Sequence, residues 1–302
     1  MWRKRVSIVL AVCVLVGIGV VAFWPDQREP EYNGKKLSQW LAVQNDLPAE
    51  ASDAIRAIGT NALPVLVSWV ESQVPAWRYK LARPFSQFPG FVYRDSLVNF
   101  LVNGKAQVRS FNSVFAFQVL GTNASAAIPE LSRFVTDARN HERQVAAHAL
   151  AYIGGREALP PLLAALEDKT VPDLQRAGIA GAIPYLNYRG PELTNAVPVM
   201  IACLGETNPF VPSLAATALG TFLVQPEQCV PALTKAVASP DYRVRRNAIR
   251  ALGNFGRVDT NAINAVSKAL DDSHQDVRKE ATNALQKIAP EVLTNAASEV
   301  SH

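Results

Sequence analysis

Residues 241–289 read DYRVRRNAIRALGNFGRVDTNAINAVSKALDDSHQDVRKEATNALQKIA, and within them one unit is written twice. Val244 returns as Val277, Arg245 as Arg278, Ala248 as Ala281 and Leu252 as Leu285, each after 33 residues. A fixed period of this length marks stacked supersecondary units rather than one globular core.

The same frame runs backwards through the chain. Gly253 follows an Ala-Leu run, and so does Gly220, 33 residues earlier. Gly154 lies 66 before Gly220, Gly121 a further 33 back, and Gly59 another 62. A proline after apolar residues recurs at Pro64, Pro129, Pro160, Pro198 and Pro231, with Asn264 in that place in the next unit. The tripeptide Thr-Asn-Ala recurs at 60–62, 122–124, 194–196, 260–262 and 294–296. Each marker has a physical reading. Glycine supplies the left-handed residue that ends a helix. Asparagine offers a side-chain oxygen to free amides, so it is expected to cap the following helix. Proline fits the first helical turn, where it removes no bonded N–H. Ser239-Pro240-Asp241 fits the same scheme, as cap, first helical position and acid at the positive helix end. The unit is therefore helix, Gly-containing turn, helix with early proline, short turn. Val244, Ala248, Ala251 and Leu252 recur at helical spacing, and alanines on that stripe let neighbouring helices approach closely.

These units resemble HEAT repeats, particularly the short bacterial kind related to bilin-lyase subunits. The residues that carry the likeness are Val244-Arg245…Ala248…Ala251-Leu252-Gly253 and Val277-Arg278…Ala281…Ala284-Leu285, and it covers roughly 36–290. The resemblance implies an all-α, right-handed α-α superhelix of the HEAT/armadillo-like kind, with about seven helical pairs. It also implies a ladder between a turn acid and an arginine of the second helix. Asp272 with Arg278 fits the spacing of six; Ser239 stands where Arg245 would want an acid, and Ala146 stands in the arginine's place.

The repeats follow a different kind of sequence. Residues 1–5 (MWRKR) are basic, and Val6–Trp24 is an uncharged apolar run of nineteen residues. At 1.5 Å per residue it spans ~28 Å, close to the hydrocarbon thickness of a bilayer. Trp2 and Trp24 sit at its two ends, and the basic flank favours a cytoplasmic N-terminus. The expectation is a single N-terminal transmembrane helix over 6–24 with the repeats on the extracytoplasmic side, periplasmic in a bacterium. A signal cleaved near Ala22, releasing a secreted domain, is the alternative; Leu10–Cys13 only partly matches a lipoprotein box. Residues 25–35 form a polar linker, 36–290 the solenoid, and 291–302 a polar tail.

Residues 74–104 are the least repeat-like part. They hold Trp77, Tyr79, Phe85, Phe88, Phe91 and Tyr93 with arginines and lysine interleaved. They read either as aromatics packed over the first units or as a partner-binding loop. A second candidate surface is the concave face that the stacked second helices are expected to create, where Arg243, Arg246, Asn247, Arg250, Lys279 and Asn283 fall outside the apolar stripe. As solvated charge it needs no partner; as a contact it suits an acidic one.

The chain shows no nucleophile triad, Walker loop or HExxH, so no catalytic, metal or cofactor residues are assigned. Cys203 and Cys229 read as inert buried thiols, and His141 with His148 lacks a third ligand. The net charge of +4 is partly the N-terminal basic cluster, so nucleic acid is not expected as a partner, nor is a small-molecule substrate. The reading is a membrane-tethered, non-enzymatic scaffold for other proteins. The alternatives are a HEAT-like enzyme or enzyme subunit, by likeness to bilin lyases and alkylpurine DNA glycosylases, and a nucleic-acid-binding solenoid.

Overall fold

A computed structural model describes residues 28–42, 47–71, 105–137, 143–256 and 258–293. The apolar run 6–24, the aromatic insert 74–104 and the end of the tail lie outside the described residues. Among those described, no helix is long and apolar enough to cross a membrane.

The polar stretch before the first helix is not a free linker. Glu31–Tyr32 (β1) and Lys35–Lys36 (β2) pair antiparallel around Asn33-Gly34, both at positive φ, as a two-residue hairpin turn requires. Glu29 fastens it, accepting from the Ser38 amide at 2.9 Å and pairing with Arg109 at 3.2 Å.

Fourteen α-helices follow among the described residues. Short α1 (Leu37–Trp40) precedes α2 (Ala49–Ile58). Next come α3 (Leu63–Glu71), α4 (Lys105–Leu120), α5 (Ile128–Thr136) and α6 (Arg143–Ile153). They are followed by α7 (Leu159–Glu167), α8 (Asp173–Ala182), α9 (Ala196–Leu204) and α10 (Phe210–Phe222). The last are α11 (Pro226–Ala236), α12 (Tyr242–Phe255), α13 (Thr260–Lys268) and α14 (Gln275–Ile288). Odd and even helices form two layers, and each helix packs on its partner and on the matching helix of the next pair. Among the described residues this is a helical-repeat solenoid whose fourteen helices form seven pairs, with one continuous core between the layers.

The period is real, but three of its markers do different work from the expected one. Gly59, Gly121 and Gly154 do end helices at φ +60°, +51° and +75°. Gly220 and Gly253, by contrast, lie inside α10 and α12. A Cβ at Gly220 would stand 2.6 Å from Ala251 Cα, and one at Gly253 3.0 Å from Ala284 Cα. They are close-contact glycines, and Gly256 (φ +72°) ends α12 instead. Among the described residues, none of the Thr-Asn-Ala asparagines (Asn61, Asn123, Asn195 and Asn261) makes the predicted side-chain cap bond. The residues preceding α5 and α9 are Ala127 and Asn195, neither with a side-chain cap bond, and α13 is capped by Asp259. At Gly59–Ala62 and Gly121–Ala127 a 3₁₀ turn runs straight into the helix, so its own bonds serve the first amides. The alanine is the fixed part, since Ala62, Ala124, Ala196 and Ala262 are fully buried. α12 likewise starts later than Ser239-Pro240 suggested: Asp241 is its cap, accepting from the Arg243 amide at 2.9 Å. Pro231 lies inside α11, because Pro226 starts that helix early.

The ladder is rewired as well. Arg278 donates to the carbonyls of Asp272 and Ser273, not to the Asp272 carboxylate. That carboxylate is taken by Arg245 of the preceding repeat, which also donates to the Ser239 and Pro240 carbonyls. Arg176 does the same, reaching the Leu166 carbonyl and Glu206. The arginine missing at Ala146 is supplied three residues earlier by buried Arg143, which donates to the Asp137 carbonyl at 2.8 Å. Arg143 and Arg176 thus meet the negative C-terminal end of the helix before them, whereas Arg245 and Arg278 bind carbonyls of the turn between the two helices. Arg176 and Arg245 also bolt their repeat to the next.

Candidate partner-binding wall

The even helices approach one another more closely than the odd ones do, through contacts such as Gly220–Ala251 and Gly253–Ala284. The closely spaced layer follows the shorter arc, so its outward face is the concave wall. Helical spacing then assigns the residues of that face. α4 contributes Val108, Phe111 and Phe115, and α6 contributes Gln144, His148 and Tyr152. From α8 and the turn after it come Leu174, Gly178, Gly181 and Tyr185; from α10, Phe210, Leu214, Thr217 and Thr221. α12 adds Arg243, Arg246 and Arg250, and α14 adds Asp276, Lys279 and Asn283.

Of the sequence-derived candidates, Arg243, Arg246, Arg250, Lys279 and Asn283 do share this wall. Asn247 does not. It is 7% exposed, turned sideways between α10 and α12, where its amide donates to the Ser213 carbonyl and hydroxyl at 3.0 and 2.9 Å. It lies at the edge of the outward arc, and the closer packing of adjacent helices swallowed that edge. Trp77, Tyr79, Phe85, Phe88, Phe91 and Tyr93 all lie outside the described residues.

The arginines are less free than the sequence suggested. Arg250 pairs with Glu280 at 2.7 Å and Arg246 with Asp276 at 3.8 Å, both partners on α14. Arg243 binds Asp241 at 2.8 Å and lies over the Phe210 ring at 4.5 Å. The Asp241 bond raises the Arg243 guanidinium pKa further and holds the Asp241 carboxyl below its usual range.

What the sequence reading missed is the other half of the wall. On α6, α8 and α10 its residues carry no formal charge other than the titratable His148. Tyr185, 57% exposed, packs its ring against Tyr152 at 5.7 Å and His148 at 6.3 Å. Burial, then the nearby Tyr185, pushes the Tyr152 phenol above its usual pKa, so it stays neutral. Gly178 and Gly181 leave room that neighbours fill: a Cβ at Gly178 would meet Gln144 at 2.7 Å, and one at Gly181 lies 3.5 Å from Leu214. Of seven large apolar side chains exposed among the described residues, five (Val108, Phe111, Leu174, Tyr185 and Phe210) fall on this wall. The available signal was Leu174 and Phe210, apolar residues at positions the helical pattern turns outward.

Cys203 and Cys229 are buried, and burial pushes both thiols up to about 11. No cluster of three metal-ligating side chains occurs among the described residues.

The fold and its inter-repeat bolts define an all-helical repeat solenoid. Residues 197–286 match the family described as HEAT repeats, and residues 142–168 the one described as PBS lyase HEAT-like repeat. No curated relative matches the chain. Among solved structures, a designed armadillo repeat protein in complex with the peptide (KR)4 is 18% identical, covering 75% of this chain and 99% of that one at TM-score 0.48. The complex of CpcE and CpcF of phycocyanin lyase, from a Nostoc species, is 18% identical over 91% of this chain and 97% of that one at TM-score 0.42. Likeness at this distance carries no argument about what this chain binds.

Proposed function

We propose that the protein is a non-catalytic scaffold that binds another protein along the concave wall of a right-handed solenoid, tethered to a membrane through residues 6–24 with the wall outside the cytoplasm. One observation carries the binding reading. Exposed large apolar side chains are concentrated on the inner wall, and such concentration on a soluble surface marks an interaction site. The supporting chemistry is the aromatic cluster of His148, Tyr152 and Tyr185, since exposed aromatics anchored by neighbours make effective contact points.

Crosslinked capture with the full-length chain tests it. Tyr185→Ala and Phe210→Asp are expected to lose the captured partner while the odd-layer surface variant Lys268→Ala keeps it. Equal capture by all three would overturn the wall as the binding face. Topology is tested separately by a reporter fused at His302, and activity confined to the cytoplasm would overturn the orientation.

A further inference from the structure

The C-terminal end of the wall has a charge character that the rest lacks. On α12 and α14, Arg246 and Arg250 are matched by Asp276 and Glu280. Lys279 and Lys287 stand exposed with no carboxylate partner among the described residues; Lys287 Nζ reaches only the Asn254 amide oxygen, at 3.4 Å. Four cations against two carboxylates leave two positive charges in excess here. The wall over α6, α8 and α10 offers aromatic and small side chains instead.

Resting on the wall reading above, we infer that the occupant is an extended protein segment with an aromatic or apolar anchor at the Tyr185 end and carboxylates at the Lys279–Lys287 end. Three interhelix steps of ~9 Å separate Tyr185 from Lys279 and Lys287, or about 27 Å. At ~3.4 Å per extended residue, the carboxylates begin about eight residues from the anchor. The uncharged floor of Leu214, Thr217 and Thr221 between them suits a neutral spacer, because the two threonine hydroxyls are already spent on the Ser213 and Thr217 carbonyls. A nucleic acid fits poorly, since it brings a phosphate at every residue to a wall that, among the described residues on α6 to α14, has excess positive charge only at the α14 end and carries Asp276 and Glu280 there.

Fluorescence anisotropy with the full-length chain tests the inference. The probe is a labelled synthetic peptide with a tryptophan, a Gly-Ser spacer of about eight residues and a run of glutamates. Its controls replace the glutamates by lysines or the tryptophan by alanine, and single-stranded oligothymidylate is the nucleic-acid control. The glutamate peptide is expected to bind at least about tenfold tighter than the lysine one. K279E/K287E should weaken it about tenfold or more and flatten its salt dependence, with thermal unfolding unchanged because both lysines are exposed. Equal affinity for the two peptides, indifference to K279E/K287E, or tighter binding of oligothymidylate overturns the inference. If no peptide binds while Tyr185→Ala still abolishes partner capture, the acidic-segment inference fails and the wall reading stands. If Tyr185→Ala also leaves capture intact, the wall reading falls with it.

Discussion

Arg245 and Asp272 are 27 residues apart in sequence and form a two-pronged ion pair, Nε to Oδ2 and Nη2 to Oδ1, both at 2.7 Å. Both side chains are nearly withdrawn from water, at 14% and 12% exposure. The pair crosses from the start of α12 to the turn before α14, so it fixes one repeat on the next. Removing Arg245 strands a carboxylate that also holds the His274 amide at 2.8 Å. Arg245→Ala should cost about 2–3 kcal/mol of unfolding free energy. Urea denaturation checks it, and a loss below about 0.5 kcal/mol would mean the bolt is ornamental.

The same pair sets an acid limit. The Arg245 guanidinium, by its hydrogen bonds, holds the Asp272 carboxyl below the usual carboxylate range. Because the folded value is depressed, its contribution is complete above the unfolded value of about 4 and is lost as pH falls through the folded one. Stability should be flat across neutral pH and fall below about pH 4. In Asp272→Asn part of that slope should vanish, as denaturation midpoints measured across that range would show.

Two glycines that share a frame with helix-ending ones should respond differently from them. Gly220→Ala places a methyl 2.6 Å from the Ala251 backbone and should destabilise by about 1–3 kcal/mol despite alanine's better helix propensity. Ala251→Gly in the same chain will not relieve it fully, because the Ala251 Cα is itself within 2.6 Å. Gly59→Ala meets nothing within 4 Å, and its cost of about 1–3 kcal/mol is backbone strain alone, because φ +60° with ψ −139° is open essentially to glycine only. If the two variants melt alike for the same reason, a crystal structure of Gly220→Ala will show no widening between α10 and α12.

Asn247→Ala should lower stability by about 1–2 kcal/mol, since its amide bonds Ser213 twice inside the interface. It should leave partner capture unchanged, unlike Tyr185→Ala. Reduced capture at unchanged stability would return Asn247 to the binding face.

Cys203 and Cys229 should resist a maleimide at neutral pH. With thiols near 11, only about one in ten thousand is ionised at pH 7, and burial blocks the reagent. Denaturant should accelerate labelling by orders of magnitude; rapid labelling of the native chain would show that α9 or α11 opens readily.

Much of the architecture is legible in residue order because repetition is a local property. The period of 33, alanine stripes such as Ala248 and Ala281, and early prolines such as Pro129 specify helix pairs of set length that bury their faces only by stacking. Helix positions, and the outward placement of Arg246, Arg250, Lys279 and Asn283, follow from spacing within one helix. What one helix touches on the next repeat does not follow from that spacing. Gly154 and Gly220 look alike in the frame, yet one takes a positive φ and the other admits Ala251, because only packing decides whether a missing Cβ serves the backbone or a neighbour. Asp272 sits six residues before Arg278 but binds Arg245, since distance through space, not along the chain, sets electrostatic energy. The apolar half of the wall came together the same way, from Leu174, Tyr185 and Phe210 on helices and turns that only the stacked layer sets side by side.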